Sequence, residues 1–259
     1  MRDWGLFLCK YLYAAAASLY LFTVGVFSGR NRPLISRICS HFGFPRRYAI
    51  PEVKLADVAP EDKEIEIHEA VGINGNISLL ETVVLAKLLR KHNPRTVFEF
   101  GTFNGRTTLN MAANTGTDAK IYTLDLPEEG AGATTLPAAP AEKALATGRI
   151  TGEKFRGTRY ERKITQLYGD SAAFAFAPFN GRMDFVFVDG SHSYAYVLSD
   201  TIHAVELLKG RRGVIVWHDY GTEGWDGVVR CLNKLHADAG VFAGMRRVEG
   251  TTLVVLVLG

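Results

Sequence analysis

Five short runs of β-branched and aromatic residues, Thr96 to Phe100, Ile121 to Leu124, Ile164 to Tyr168, Phe185 to Val188 and Val214 to Trp217, recur along the chain, and most of the gaps between them can hold a helix. Strands separated by helical segments cannot be joined as tight hairpins. Each connection has to cross a face of the sheet, so the pattern predicts a parallel, doubly wound α/β fold. Two further runs, Gly244 to Val248 and Thr251 to Leu258, are separated only by Glu249-Gly250, which predicts a hairpin. The expectation is a mostly parallel seven-stranded sheet that ends antiparallel. Ahead of it, Leu79, Leu80, Val83, Val84, Ala86, Leu88 and Leu89 form an apolar helical pattern that stops at His92-Asn93-Pro94.

The chain has 259 residues, enough for one large α/β domain and an accessory segment. Three regions are expected: an apolar N-terminal helix over 1–30, a linker with short helical pieces over 31–63 broken by Pro33, Pro45, Pro51 and Pro60, and the main domain over 64–259. Gly5 to Ser28 carries Lys10 as its sole charge. That stretch reads as a membrane anchor, spanning or interfacial, as a helix packed on a partner or a second copy, or as a cleaved signal peptide.

Arg30, Arg32, Arg37, Arg46 and Arg47 follow it. They point to a membrane surface rather than to nucleic acid, and to a main domain on the cytoplasmic side, with a soluble cytoplasmic protein as the alternative. Cys9, Cys39 and Cys231 are far apart and form no CxxC pair, so neither a disulfide nor a zinc site is expected.

Glu99-Phe100-Gly101-Thr102-Phe103-Asn104-Gly105 follows the first strand and precedes a helix start at Arg106. Glycines there let the backbone turn sharply and approach a ligand, although a tight strand-to-helix turn without a ligand has the same look, and the three-glycine dinucleotide fingerprint is missing. Asp125, at the end of the second strand, is placed to accept hydrogen bonds from ribose hydroxyls. Asp170 and Ser171, at the end of the third, suit a nucleoside base or a helix cap.

The next two strands end in Asp189-Gly190-Ser191-His192-Ser193-Tyr194 and Trp217-His218-Asp219-Tyr220. The carboxyl ends of parallel strands line one crevice, so Asp189, His192, His218 and Asp219 should converge there as catalytic candidates. In one reading Asp189, His218 and Asp219 bind Mg2+ or another divalent cation. In the other, His192 is a general base oriented by Asp189 or Asp219.

EFGTFNGRTT, IYTLDLP, FRGTRYERKITQLYGDSA, MDFVFVDGSHSYAYVLSD and VIVWHDYG together resemble class I methyltransferases of the methyltransferase-24 type, relatives of macrocin- and cephalosporin-hydroxylase-like enzymes. The resemblance runs from about Glu69 to Leu258. It implies a Rossmann-like fold and S-adenosylmethionine (SAM) as cofactor, with cofactor roles for Glu99, Gly101, Thr102, Gly105, Asp125, Asp170 and Ser171. Asp189, His192, His218 and Asp219 fall at the catalytic or metal face.

Lys209-Gly210-Arg211-Arg212-Gly213 stands where such families have a Pro-Gly-Gly turn. No Asn/Asp-Pro-Pro-Tyr stretch is present, which favours an oxygen acceptor over an exocyclic nitrogen. The expected activity is O-methylation of a small-molecule, sugar or lipid-linked hydroxyl. Its alternatives are a non-catalytic module of a membrane complex and a hydroxylase on the same fold. Expected partners are a small-molecule acceptor, a membrane or membrane protein at the N-terminal helix, and a second copy in a homo-oligomer. Pro127 to Arg162 is expected to be a mobile loop over the site.

Overall fold

The computed structural model describes all residues except 1, 32–33, 36–37, 40–47, 59–62, 131–133, 139–147 and 149. Arg32, Arg37, Arg46 and Arg47, and Pro33, Pro45 and Pro60, therefore lie outside the described residues. The chain divides into two compact units, 1–47 and 48–259.

The first unit contains helix α1 (Arg2–Phe22), continuous through Ala14 to Ala17. Alanine has the highest helix propensity, and no β-branched run interrupts it. At the end of α1 the Thr23 hydroxyl donates to Leu19 O at 2.6 Å, and two 3-10 turns follow, Gly25–Phe27 and Gly29–Asn31.

The second unit is built on β1 (Glu52–Val53), α2 (Leu55–Val58), α3 (Leu79–His92), β2 (Thr96–Phe100), α4 (Arg106–Ala113), β3 (Lys120–Asp125), β4 (Ile164–Tyr168), β5 (Phe185–Val188), α5 (Tyr194–Leu207), β6 (Gly213–Trp217), α6 (Asp226–Ala237), β7 (Arg246–Val248) and β8 (Val254–Leu258). The sheet order is β1-β7-β8-β6-β5-β2-β3-β4. β4, β3, β2, β5 and β6 run parallel, while β8 is antiparallel to both β6 and β7. The doubly wound α/β sheet with a terminal hairpin is thus present, with eight strands instead of seven. The extra strand is β1, which lies in the stretch expected to be a linker and pairs parallel with β7 through Glu52↔Arg247 and Val53↔Val248.

Central strands covered on both faces have to be apolar throughout, and the alternation of side chains then assigns each residue to a face. Val97, Phe185, Phe187, Val214 and Val216 pack with Val84, Leu88 and Leu109 of α3 and α4. Phe98, Phe100, Val186, Val188, Ile215 and Trp217 pack with Val197, Ala204, Val228 and Leu232 of α5 and α6. Burying each large apolar side chain contributes on the order of 1.5–3 kcal/mol. The one indole N–H in that layer is satisfied, since Trp217 Nε1 donates to Thr201 Oγ1 at 2.9 Å.

α3 starts in a full capping box, Ser78 with Glu81, and ends at Asn93 in the left-handed region (φ 43°), just ahead of Pro94. β2 and β5 are neighbours although two strands lie between them in sequence. The chain winds outward in opposite directions from this pair, which opens a crevice above their carboxyl ends.

Within Pro127 to Arg162, the 150–162 part is folded onto the glycine loop. Gly152 N donates to Phe103 O (3.1 Å), Lys154 N donates to Asn104 O (2.8 Å), and Phe155 and Tyr160 are buried in the α3/α4 layer. The Lys209–Arg211 stretch keeps its turn, with Gly210 at φ 57°.

Candidate functional site

The loop after β2 owes its glycines to crowding by the protein itself. At Gly101 (φ 88°) a Cβ would lie 2.0 Å from Asp189 O, and at Gly105 (φ 83°) it would meet the Phe155 ring at 2.7 Å and Gly152 Cα at 2.8 Å. Both positions therefore require glycine for backbone conformation and for space. Between them Phe103 has φ 50°, an unusual conformation for a bulky residue, and its N–H is held by Asp125 Oδ2 at 2.7 Å. Asp125, at the end of β3, is thus the latch of the loop.

Glu99 and Thr102 sit beneath the loop, almost fully buried at 0% and 2% exposure. Gln166 Nε2 donates to Thr102 Oγ1 (2.9 Å), Thr102 and Thr123 share a hydroxyl hydrogen bond (2.6 Å), and Thr123 and Thr108 both donate to Glu99 Oε2 (2.6 and 2.5 Å). Burial pushes the Glu99 carboxyl up to about 8 against those donors, so it carries a proton at neutral pH, and Oε1 is the oxygen without a partner. These side chains support the loop from below.

On the far side, Asp170 accepts from Thr135 N (2.6 Å), Ala172 N (3.0 Å) and the Tyr196 hydroxyl (2.8 Å). Burial works against its charge, but those donors prevail and hold the carboxyl below the usual range. Ser171 lies beside Asp200, a wholly buried carboxyl of α5 that burial raises to about 7.

At the ends of β5 and β6 the structure brings together Asp189, His192, His218 and Asp219. His218 Nδ1 is 3.0 Å from Asp189 Oδ1 and 3.1 Å from Asp219 Oδ2, and His192 Nε2 is 2.8 Å from the same Asp219 oxygen. The His192 ring is stacked on Trp225, with centroids 4.1 Å apart and planes 17° from parallel. Asp219 has φ 63°, and its N–H donates to Thr252 Oγ1 at 3.2 Å. This left-handed turn swings the carboxylate back toward His218.

Burial alone would strip charge from all of these groups. For His218, the two aspartates reverse that effect and hold its pKa well above the usual range. For Asp219, His218 and His192 reverse it in the opposite direction. For Asp189, burial outweighs His218 and pushes the carboxyl up. The cluster shares its protons as a unit, with Asp219 favoured as the anion and His218 as the cation.

Asp189, His218 and Asp219 each offer one ligand atom, and these three atoms lie within 4.8 Å of one another. The set of two carboxylate oxygens and one imidazole nitrogen fits a divalent cation.

Residues 98–220 match the family model of the methyltransferase-24 family, described as "Methyltransferase domain". Over that stretch, just under half of the chain, the sequence is similar to this family. No match to a curated protein was found.

Among solved structures, the chain is similar to the O-methyltransferase TomG from Streptomyces achromogenes, involved in Tomaymycin synthesis, in complex with SAM. Identity is 18%, coverage is 90% of this chain and 100% of that one, and the TM-score is 0.47. It is also similar to an O-methyltransferase from Bacillus cereus in complex with SAH (15% identity, 86% and 97% coverage, TM-score 0.48) and to SAH-bound PaMTH1 from Podospora anserina (17%, 72% and 81%, TM-score 0.48).

Every candidate residue named from the sequence falls inside the matched stretch. Glu81 and Thr252 fall outside it, and sequence reasoning passed over both. Glu81 Oε2 lies 3.3 Å from His218 Nε2, and Thr252 N and Oγ1 donate to Glu81 Oε1 at 2.8 and 2.7 Å. The signal that could have found Glu81 is the Ser78-Leu79-Leu80-Glu81 capping-box spacing.

Proposed function

We propose that this protein is a SAM-dependent O-methyltransferase whose acceptor hydroxyl is bound over Asp189, His192, His218 and Asp219. The observation that carries the reading is the convergence of those four side chains at the ends of β5 and β6, where the Gly101–Gly105 loop, closed against the Asp189 backbone, forms the adjoining wall.

SAM supplies an electrophilic methyl group on a sulfonium. Asp125 and the loop it latches would receive the ribose side of the cofactor, and Asp170, held rigid by Tyr196 and Thr135, the base side. Methyl transfer to oxygen needs in-line positioning and removal of one proton from the acceptor, and the departing thioether needs no acid. His192, clamped between Trp225 and Asp219, is the group placed to take that proton. Asp189, His218 and Asp219 would hold a divalent cation, whose role as a Lewis acid is to lower the acceptor's pKa. The hydroxylase and non-catalytic readings draw no support from the comparisons.

α1 supplies the second part of the reading. By length and composition its Trp4–Phe22 stretch can cross a membrane, and 6% of the apolar window within it is buried. We assign it to a bilayer, with the basic residues after it on the cytoplasmic side together with the enzyme domain. A membrane-held enzyme suits a lipid-linked or sugar hydroxyl as acceptor.

The test is transfer of labelled methyl from SAM to a panel of sugars, catechols and lipid-linked hydroxyls. One acceptor class should be methylated by the wild-type chain, with His192→Ala and Asp219→Asn slower by about 100-fold or more. Equal turnover by these variants and the wild type would remove both residues from the mechanism.

A further inference from the structure

Glu81 is in a setting that helix capping alone does not account for. A capping glutamate needs one oxygen on the N-cap N–H, and here Oε2 accepts from Ser78 N at 2.8 Å. The same oxygen also lies 3.3 Å from His218 Nε2, while Oε1 takes both the N–H and the hydroxyl of Thr252 (2.8 and 2.7 Å). The side chain is 6% exposed. Thr252 in turn accepts from Asp219 N at 3.2 Å, so one buried carboxylate is tied to His218 directly and to the Asp219 turn through a single threonine.

Ser78 N, Thr252 N and the Thr252 hydroxyl fill three of the four acceptor positions of an ionised carboxylate, and the fourth faces His218 Nε2. A lone pair on His218 Nε2 facing that oxygen would be repelled, so Nε2 carries a hydrogen, and a cation at the centre would displace only the one on Nδ1. The other nitrogen, Nδ1, faces Asp189 Oδ1 and Asp219 Oδ2 at 3.0 and 3.1 Å. Ligating histidines are oriented in this way when their second N–H is given to a carboxylate.

We propose that Glu81 is a positioning residue that fixes His218 with its hydrogen on Nε2 and so dedicates Nδ1 to the Asp189–Asp219 centre. This inference rests on the reading of Asp189, His218 and Asp219 as a cation centre. Glu81→Gln places an amide N–H₂ where Oε2 was, so Nε2 becomes the acceptor and the remaining ring hydrogen is kept on Nδ1, where it obstructs a cation.

The experiment uses the full chain with ¹⁵N-labelled histidine, stripped of metal for imidazole NMR, and titrated with MnCl₂ by calorimetry. The wild type is expected to show His218 Nε2 protonated. Glu81→Gln is expected to change the His218 ring shifts and to weaken Mn2+ binding by about 10–100-fold. Ser78→Ala removes the hydroxyl half of the same cap but keeps Glu81 on His218. It should lower the melting temperature while leaving the ring shifts and Mn2+ affinity as in the wild type.

Ring shifts and affinity unchanged in Glu81→Gln would overturn the proposal. So would a wild-type spectrum with Nε2 unprotonated, a readout that does not depend on the variant folding. If the wild type takes up no Mn2+, the cation reading fails by itself. The Glu81 assignment is then decided by the ring shifts, supported by a change in Glu81→Gln and overturned by none.

Discussion

Single residues at this site are governed by burial set against a few well-placed donors. Glu99 shows the balance most clearly, because its pKa lies near 8, up from an ordinary 4.5, even with two threonine hydroxyls donating to it. Between those values the folded chain holds a proton that the unfolded chain has released, so stability must fall as pH rises through that window and level off above it. Glu99→Gln keeps an acceptor for Thr108 and Thr123 and has no charge to gain. Its unfolding midpoint should lie near the wild type's at about pH 5 and above it at about pH 9. Parallel melting curves for the two proteins across that range would contradict the assignment.

The convergence of Asp189, His192, His218 and Asp219 was legible in the sequence, because strand ends in a parallel sheet are forced to one edge. Glu81 was not, since it reaches His218 across 137 residues and looks locally like an ordinary cap.

At the scale of elements, the long apolar strands were readable to within a residue or two, and the helix stop at Asn93-Pro94 fell where the chemistry put it. β1 escaped because two residues cannot display an alternation. The hairpin was placed correctly, but its loop is longer than Glu249-Gly250. Thr251, Thr252 and Leu253 have strand-like side chains, yet the Thr251 hydroxyl bonds Val248 O at 2.8 Å and Thr252 turns out to Glu81, so pairing with β7 resumes at Val254. Thr252, lost from the ladder, is the residue that braces the site.

α1 carries the prediction that belongs to this scale. The full chain should float with vesicles containing anionic lipid in a density gradient, and a chain lacking residues 1–30 should stay at the bottom. Flotation of the shortened chain, or none of either, would remove the membrane role from the helix.

For the whole molecule, the sheet order and the position of the crevice follow from one topological fact, the outward winding of the chain from β2 and β5. What the sequence alone did not reveal is how far the glycine loop is shaped by protein contacts: Gly101 and Gly105 are required by Asp189, Gly152 and Phe155 before any ligand is considered. Residues 150–162, the last part of the Pro127 to Arg162 stretch expected as a mobile cover, belong to that packing because Phe155 and Tyr160 anchor them in the core.

The loop's geometry alone therefore does not establish a cofactor, and the claim rests on the acids beside it. Its most direct test is a calorimetric titration of the full chain with SAM, alongside the Asp125→Ala variant. Saturable binding to the wild type that is lost or greatly weakened in the variant is the expected result, whereas no binding to a folded wild-type chain would contradict the assignment of this crevice to SAM.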